Sequence, residues 1–90
     1  MKRIKITVSG RVQGVFFRYF THKTALKLNI KGYVKNLYNG NVEAVAIGSV
    51  ENVEKFIKEI KIGPPASQID KAEIQELPDS INYDSFEITY

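Results

Sequence analysis

The residues with the clearest chemical potential lie between Ser9 and Arg18, in the sequence SGRVQGVFFR. Two glycines separate a strand-like segment from a helix-like one, so successive backbone N–H groups there can converge on one anion, aided by the helix dipole. Arg18 falls in the first helical turn, and a guanidinium matches a phosphate bidentately at any working pH. The spacing alone fits two interpretations equally well. One is an anion site, and the other is a plain glycine turn with a solvated Arg18.

A second candidate is Asn36, which ends a predicted strand within the sequence GYVKNLYNG, residues 32–40. A carboxamide is both a donor and an acceptor, so it can hold a water molecule on one side and contact a substrate on the other. An asparagine near a turn also commonly bonds to the local backbone. The residue types alone therefore favour the local role for Asn36.

The composition excludes several kinds of site. The 90-residue chain has no cysteine and one histidine, which excludes a disulfide framework, a thiolate nucleophile, an iron–sulfur cluster and zinc sites built on Cys or on two His. We expect no metal ion and no cofactor. No apolar run approaches the roughly 20 residues of a membrane span, and the start of the chain has no apolar signal stretch. We therefore expect a cytoplasmic protein, without membrane contact, that forms a single domain over residues 1–90.

The charge of the chain is unevenly distributed. Residues 1–45 carry nine Lys or Arg against one acidic residue, a net charge of +8, whereas residues 46–90 carry four Lys against nine acidic residues, a net charge of −5. A basic half of this kind indicates an anionic partner, which is a nucleic acid, a membrane surface or a small phosphate compound.

Hydrophobic periodicity predicts the elements that position these residues. Alternation predicts strands over residues 3–8, 30–36, 41–47, 69–77 and 86–90, and three- and four-residue spacing predicts helices over 15–28 and 50–60. Ser49 is the expected N-cap of the second helix. Asn39-Gly40 predicts a tight primed hairpin turn. The phenylalanines at 16, 17 and 20 are expected in the core.

This order of elements predicts an α+β fold. It is the ferredoxin-like split βαββαβ sandwich, with two helices on one face of a mixed antiparallel sheet and an extra C-terminal strand. The strand over residues 69–77 has few apolar residues, so we expect it at a sheet edge. Many unrelated functions share this architecture, and the fold alone indicates none of them.

The two candidate stretches together resemble the signatures of the acylphosphatase family. Gly10–Arg18 is similar to the first signature, and Gly32–Asn36, with Gly40, Val42 and Gly48 at the expected offsets, is similar to the second. The resemblance covers essentially the whole chain. It implies a metal-independent hydrolase that cleaves the carboxyl-phosphate bond of a small acyl phosphate and releases a carboxylate and inorganic phosphate.

The resemblance also implies roles for individual residues. In that family, the loop amides and the arginine of the first signature hold the phosphoryl group. The match places these roles on the backbone amides of Arg11, Val12, Gln13, Gly14 and Val15 and on the side chain of Arg18. The catalytic asparagine, which orients the attacking water, falls on Asn36. A monomer without a nucleic-acid partner is the accompanying expectation.

Other interpretations of the sequence are weaker. An RNA-recognition domain shares the order of elements, but it needs exposed aromatic residues on its central strands, and the strands at 3–8 and 41–47 have none. A catalytically silent regulatory domain has no need of both Arg18 and Asn36. His22, four residues after Arg18, is expected to pack or face solvent rather than act as a base. Whether the terminal carboxylate of Tyr90 reaches the site is left open.

Overall fold

Five strands and two helices make up the chain, all 90 residues of which the computed structural model describes. In chain order they are β1 (Lys2–Arg11), α1 (Phe17–Lys27), β2 (Lys31–Asn36), β3 (Val42–Gly48), α2 (Val50–Ile62), β4 (Gln68–Glu76) and β5 (Phe86–Thr89). The predicted βαββαβ order with an extra C-terminal strand is confirmed. Neither helix is long and apolar enough to cross a bilayer.

The strands form one sheet in the order β4-β1-β3-β2-β5. All neighbours pair antiparallel except β2 and β5, which are parallel, so the mixed sheet and the edge position of β4 are as predicted. Because β1, β2 and β5 consequently run in the same direction, their carboxyl ends lie at the same end of the sheet. The residues that follow β1, end β2 and follow β5 are thereby brought together.

Both helices cover one face of this sheet. The alternating residues of β1 that face them, Ile4, Ile6 and Val8, are at most 1% exposed. They share one hydrophobic cluster with residues of both helices, namely Phe17 and Ala25 of α1 and Val53, Phe56, Ile57 and Ile60 of α2. The Ser49 hydroxyl accepts a hydrogen bond from the N–H of Asn52 at 3.1 Å, which confirms the predicted N-cap of α2. This shared core fixes α1 relative to the sheet.

The first strand and helix differ from the prediction at their junction. β1 continues through the predicted glycine break, since Gly10 and Arg11 pair with β4 after a register shift. The α1 helix then begins at Phe17. Phe16, expected in the core, is instead 82% exposed, because its left-handed backbone (φ 62°, ψ 25°) takes it out of the helical series. Phe17 is buried and Phe20 is half-buried against the core, as expected.

The connection between β2 and β3 is a hairpin of another type than predicted. A primed two-residue turn needs a positive φ at both Asn39 and Gly40, and only Gly40 has one, at 94°. The carboxamide of Asn39 instead accepts a hydrogen bond from the N–H of Asn41 at 3.0 Å, a local turn that asparagine readily forms. The predicted antiparallel pairing is correct, while the predicted turn geometry is wrong.

Candidate active site

A run of unpaired backbone amides lies between β1 and α1. None of the N–H groups of residues 12–19 donates a hydrogen bond to another group of the protein; the first such amide of the helix is that of Phe20, bonded to the carbonyl of Phe16 at 3.0 Å. No side chain caps α1, and no acidic residue lies in its first turn. Free donors and the positive end of a helix dipole therefore coincide in residues 12–16, which we call the amide loop.

The backbone of the amide loop has a shape suited to an anion. Gly14 has a φ of 75° and Phe16 a φ of 62°, whereas Val15 between them is not left-handed. Alternation of left- and right-handed residues turns successive N–H groups toward a common point. Gly14 meets this requirement at little cost, because glycine populates positive φ readily. Phe16 meets it only with strain.

The side chain of Gln13 ties the amide loop to the β2–β3 hairpin. Its Nε2 donates to the carbonyl oxygen of Leu37 at 2.8 Å and to that of Asn41 at 2.9 Å. These two bonds hold the loop beside Asn36, which directly precedes Leu37. From the sequence, only the backbone amide of Gln13 was predicted to have a role. The signal for its side chain was a two-donor carboxamide inside a loop that needs an anchor.

Arg18 is held by the C-terminal end of the chain. Its Nη1 donates to the carbonyl oxygen of Thr89 at 3.2 Å, and its guanidinium carbon lies 4.6 Å from the centre of the Tyr90 ring. No carboxylate forms an ion pair with Arg18, and this includes the terminal carboxylate of Tyr90. The charge of Arg18 is therefore oriented by neutral groups and is available to an external anion.

Asn36 ends β2 opposite Val42 of β3. Its carboxamide makes no hydrogen bond to another group of the protein, so the local backbone role common for asparagines near turns is not the one observed. No buried side-chain polar atom in the chain lacks a partner, which means that the Asn36 amide is open to solvent. It is free to hold a water molecule or a ligand.

Two cavities meet at these residues. The first has a volume of about 310 Å³ and the second of about 660 Å³, and both are lined by Arg18, Asn36 and Tyr90. Val12 and Gly14 line the first cavity, and Gln13 lines the second. Two of the predicted residues line neither cavity, namely Arg11, which ends β1, and Val15.

Two further titratable residues, His22 and Tyr33, line neither cavity. His22 packs its ring 6.1 Å from that of Phe86. Tyr33, on the sheet face that the helices leave open, donates its hydroxyl to Glu43 Oε2 at 2.7 Å. Burial, with the Glu43 carboxylate second, raises the pKa of Tyr33 well above its ordinary value. Nowhere in the structure do three His, Cys, Asp or Glu side chains cluster as metal ligands.

Comparison with known proteins shows the family to which this chain is similar. The sequence matches the family model described as Acylphosphatase over residues 4–88. It is 46% identical to the acylphosphatase of Archaeoglobus fulgidus over 100% of both chains, and 46% identical to that of Syntrophotalea carbinolica over 98% of this chain and 96% of the relative. The crystal structure of the acylphosphatase from Bacillus subtilis is similar with a TM-score of 0.96 and 37% identity, covering 100% of both chains.

The similarity to these relatives thus extends over the sheet, both helices and the residues that line the two cavities. A match of this extent to one family, at such identity, settles the family assignment. The chain belongs to the acylphosphatase family, whose activity is the hydrolysis of acyl phosphates.

Proposed function

We propose that this chain hydrolyses acyl phosphates by electrostatic stabilisation and positioning, without a bound metal ion or cofactor. The backbone amides of residues 11–15 and the guanidinium of Arg18 hold the phosphoryl oxygens, and Asn36 orients the attacking water. The observation that carries the proposal is the run of unpaired amides at residues 12–19, beside an arginine that has no carboxylate partner. Of the five, only the amide of Arg11 lies outside this run, since Arg11 ends β1 opposite Gln68 of β4.

The chemistry requires no strong base. The water oxygen forms a bond to phosphorus while the bond from phosphorus to the acyl oxygen breaks, and the carboxylate leaves with that electron pair. One proton of the water passes to a phosphoryl oxygen, so the products are a carboxylate and inorganic phosphate. Because a carboxylate is a weakly basic leaving group, charge on the phosphoryl oxygens is what the site must stabilise.

The magnitudes are adequate for this task. Removal of a single preorganised donor from a comparable oxyanion site costs about 10²–10³ in kcat. The amide loop and Arg18 together supply several such donors, and their orientation is fixed before the substrate arrives. Asn36 contributes the position of the water, an entropic rather than a proton-transfer effect.

The test is the release of phosphate from acetyl phosphate in the presence and absence of a chelator. We expect activity to persist with the chelator, and Arg18→Ala to lower kcat/KM by about 10³-fold without loss of the folded circular dichroism spectrum. His22→Gln serves as the control and keeps wild-type activity, since His22 lines neither cavity. Loss of activity with the chelator, or an Arg18→Ala variant as active as the wild type, contradicts the mechanism.

We further propose that the chain acts as a single-domain monomer with a small-molecule substrate and no nucleic-acid partner. On the sheet face that the helices leave open, the strands carry one aromatic residue, Tyr33, and its hydroxyl donates to Glu43. The strands therefore offer no row of aromatic rings on which bases could stack. The edge strand β4 carries the charged pair Lys71–Glu73, which disfavours pairing with a second sheet. Size-exclusion chromatography with light scattering tests the monomer; the cytoplasmic location stays a prediction of the sequence.

A further inference from the structure

Phe16 combines two unfavourable features in one residue. Its side chain is 82% exposed, and its backbone has the left-handed conformation that phenylalanine adopts only with strain. Strain of this kind persists where the surrounding structure enforces it, and it concentrates at functional sites. The amide loop enforces the backbone conformation, but it does not account for a large apolar side chain at this position.

The exposed ring of Phe16 lines the 310 Å³ cavity together with Arg18 and Asn36. It is part of a wider pattern. Five aromatic side chains of the chain are exposed, and four of them line the two cavities beside the amide loop. These four are Phe16, Tyr19, Tyr38 and Tyr90. The exposed aromatic surface of the molecule is therefore concentrated around the place where the phosphoryl group binds.

The two cavities offer the acyl group different environments. Once the amides and Arg18 hold the phosphoryl oxygens, the rest of the substrate extends into a cavity. The walls of the first cavity away from Arg18 and Asn36 are apolar or aromatic, and Phe16, Tyr19 and Ile88 belong to them. The second cavity holds Lys35, whose ammonium is already 3.8 Å from a Glu43 carboxylate oxygen. Arg18 is thus the only charged side chain lining either cavity that has no ion-pair partner.

We propose that Phe16 binds the acyl group of the substrate and gives the enzyme a preference for acyl phosphates with an aromatic or bulky apolar acyl group. The proposal rests on the proposed function, since it needs the phosphoryl group in the amide loop. An aromatic acyl group packs against the Phe16 ring and removes apolar surface of both from water. A small acyl group such as acetyl reaches little of that surface and gains correspondingly less.

The test compares benzoyl phosphate with acetyl phosphate as substrates. In Phe16→Asn, which removes the ring but tolerates the left-handed backbone, we expect the ratio of kcat/KM for benzoyl over acetyl phosphate to fall about tenfold, equivalent to about 1.4 kcal/mol. Phe16→Tyr, which keeps the ring, retains the wild-type ratio. Tyr38→Asn, in the second cavity, is the matched control and also retains it.

An unchanged ratio in Phe16→Asn overturns the proposal, whether both activities are retained or both fall equally. An equal fall assigns Phe16 a role in the backbone of the loop alone. Failure of the proposed function is distinguishable, because the wild type then hydrolyses neither substrate. Calorimetric binding of benzylphosphonate and methylphosphonate, which are not hydrolysed, gives the same comparison without turnover, and the preference for benzylphosphonate is expected to fall about tenfold in Phe16→Asn.

Discussion

Asn36 is the catalytic candidate with the simplest surroundings. Its carboxamide bonds to no other protein group, so its substitution by a small residue leaves no other side chain without a partner. Arg18 differs, since its guanidinium packs on Tyr90 and donates to Thr89. A loss of activity on substitution of Asn36 is therefore easier to assign to chemistry than a loss on substitution of Arg18.

We expect Asn36→Ala to lower kcat by about 10²-fold and to change KM by no more than a few-fold. The reason is that, in the proposed mechanism, the Asn36 amide positions the water while the amide loop and Arg18 bind the phosphoryl group. Steady-state kinetics with acetyl phosphate measures both constants. Asn52→Ala on α2 is the control for an asparagine remote from both cavities, and it retains activity. A rise in KM at constant kcat contradicts the assigned role.

Tyr33 gives a second prediction at the level of one residue, here for stability. Burial and Glu43 raise the pKa of Tyr33 in the folded protein above its ordinary value of about 10. Above about pH 10 the unfolded chain loses this proton while the folded chain keeps it, so this contribution to stability is complete below pH 10 and declines as the pH rises.

The variant Tyr33→Phe cannot titrate, so we expect its free energy of unfolding to decline less between pH 9 and 11 than that of the wild type. At pH 7 it is less stable by about 1 kcal/mol, from the lost hydrogen bond to Glu43. Urea denaturation at each pH measures both effects. The control is Tyr38→Phe, because the Tyr38 hydroxyl is fully exposed and has no partner. Its free energy of unfolding is expected to vary with pH as that of the wild type does. Parallel curves for Tyr33→Phe and the wild type contradict the prediction.

At the scale of the elements, the site depends on strand direction more than on any loop. Asn36 ends β2, Tyr90 follows β5, and the amide loop follows β1. Because these three strands run in the same direction, all three features lie at one end of the sheet. Gln13 and Arg18 then link these ends to each other through hydrogen bonds to Leu37, Asn41 and Thr89. Rigid strands thus set the distances, and the side-chain links set the final orientation.

Most elements were predictable because their apolar periods are regular, as in Ile4, Ile6 and Val8 of β1. The junction between β1 and α1 was not, because its conformation follows from pairing with β4 and from a left-handed residue that propensity disfavours at Phe16. The backbone amides and Arg18 were predicted as site residues from the glycine spacing and the family resemblance. The hydrogen bond from Arg18 to the Thr89 carbonyl could not be predicted from the sequence, because every residue has a main-chain carbonyl whatever its side chain.

The long connection between β4 and β5 is held by one side chain of β1. Arg3 donates from Nε to the carbonyl of Ile81 and from Nη2 to Asn82 Oδ1, both at 2.8 Å, and its Nη1 lies 3.6 Å from Asp79 Oδ1. A guanidinium can make these contacts simultaneously because its donors form a planar fork. Thr89 of β5 accepts a hydrogen bond from Arg18. The connection that leads into β5 therefore helps to hold the residue that orients Arg18.

We expect Arg3→Lys to lower the free energy of unfolding by about 1–2 kcal/mol, because one ammonium cannot replace the separate donors of the fork. Urea denaturation measures the change, and limited proteolysis shows whether cleavage begins within residues 77–85. Arg11→Lys is the matched control, since the Arg11 side chain makes no hydrogen bond or ion pair, and its effect stays within about 0.5 kcal/mol. Equal stability of Arg3→Lys and the wild type contradicts this assignment.

In the folded molecule, ion pairs bring basic residues of the first half of the sequence together with acidic residues of the second half. Four of the eight ion pairs join a base of residues 1–45 to an acid of residues 46–90, and two more use Glu43. Four basic residues of the first half remain without a carboxylate partner, namely Arg11, Arg18, Lys23 and Lys31. Two of these four, Arg11 and Arg18, flank the amide loop and give it a positive local field that no neighbouring carboxylate offsets.

This residual field predicts a dependence of kcat/KM on ionic strength. The screening length falls from about 30 Å at 0.01 M salt to about 3 Å at 1 M, so potassium chloride over this range should lower kcat/KM for acetyl phosphate by about threefold and affect kcat less. Arg11→Gln should show a lower value at low salt and converge on the wild type at high salt. Lys27→Gln, which removes a base paired with Glu59 at 3.2 Å, should follow the wild-type curve. Parallel salt curves for Arg11→Gln and the wild type would mean that the substrate responds to Arg18 and the amides alone.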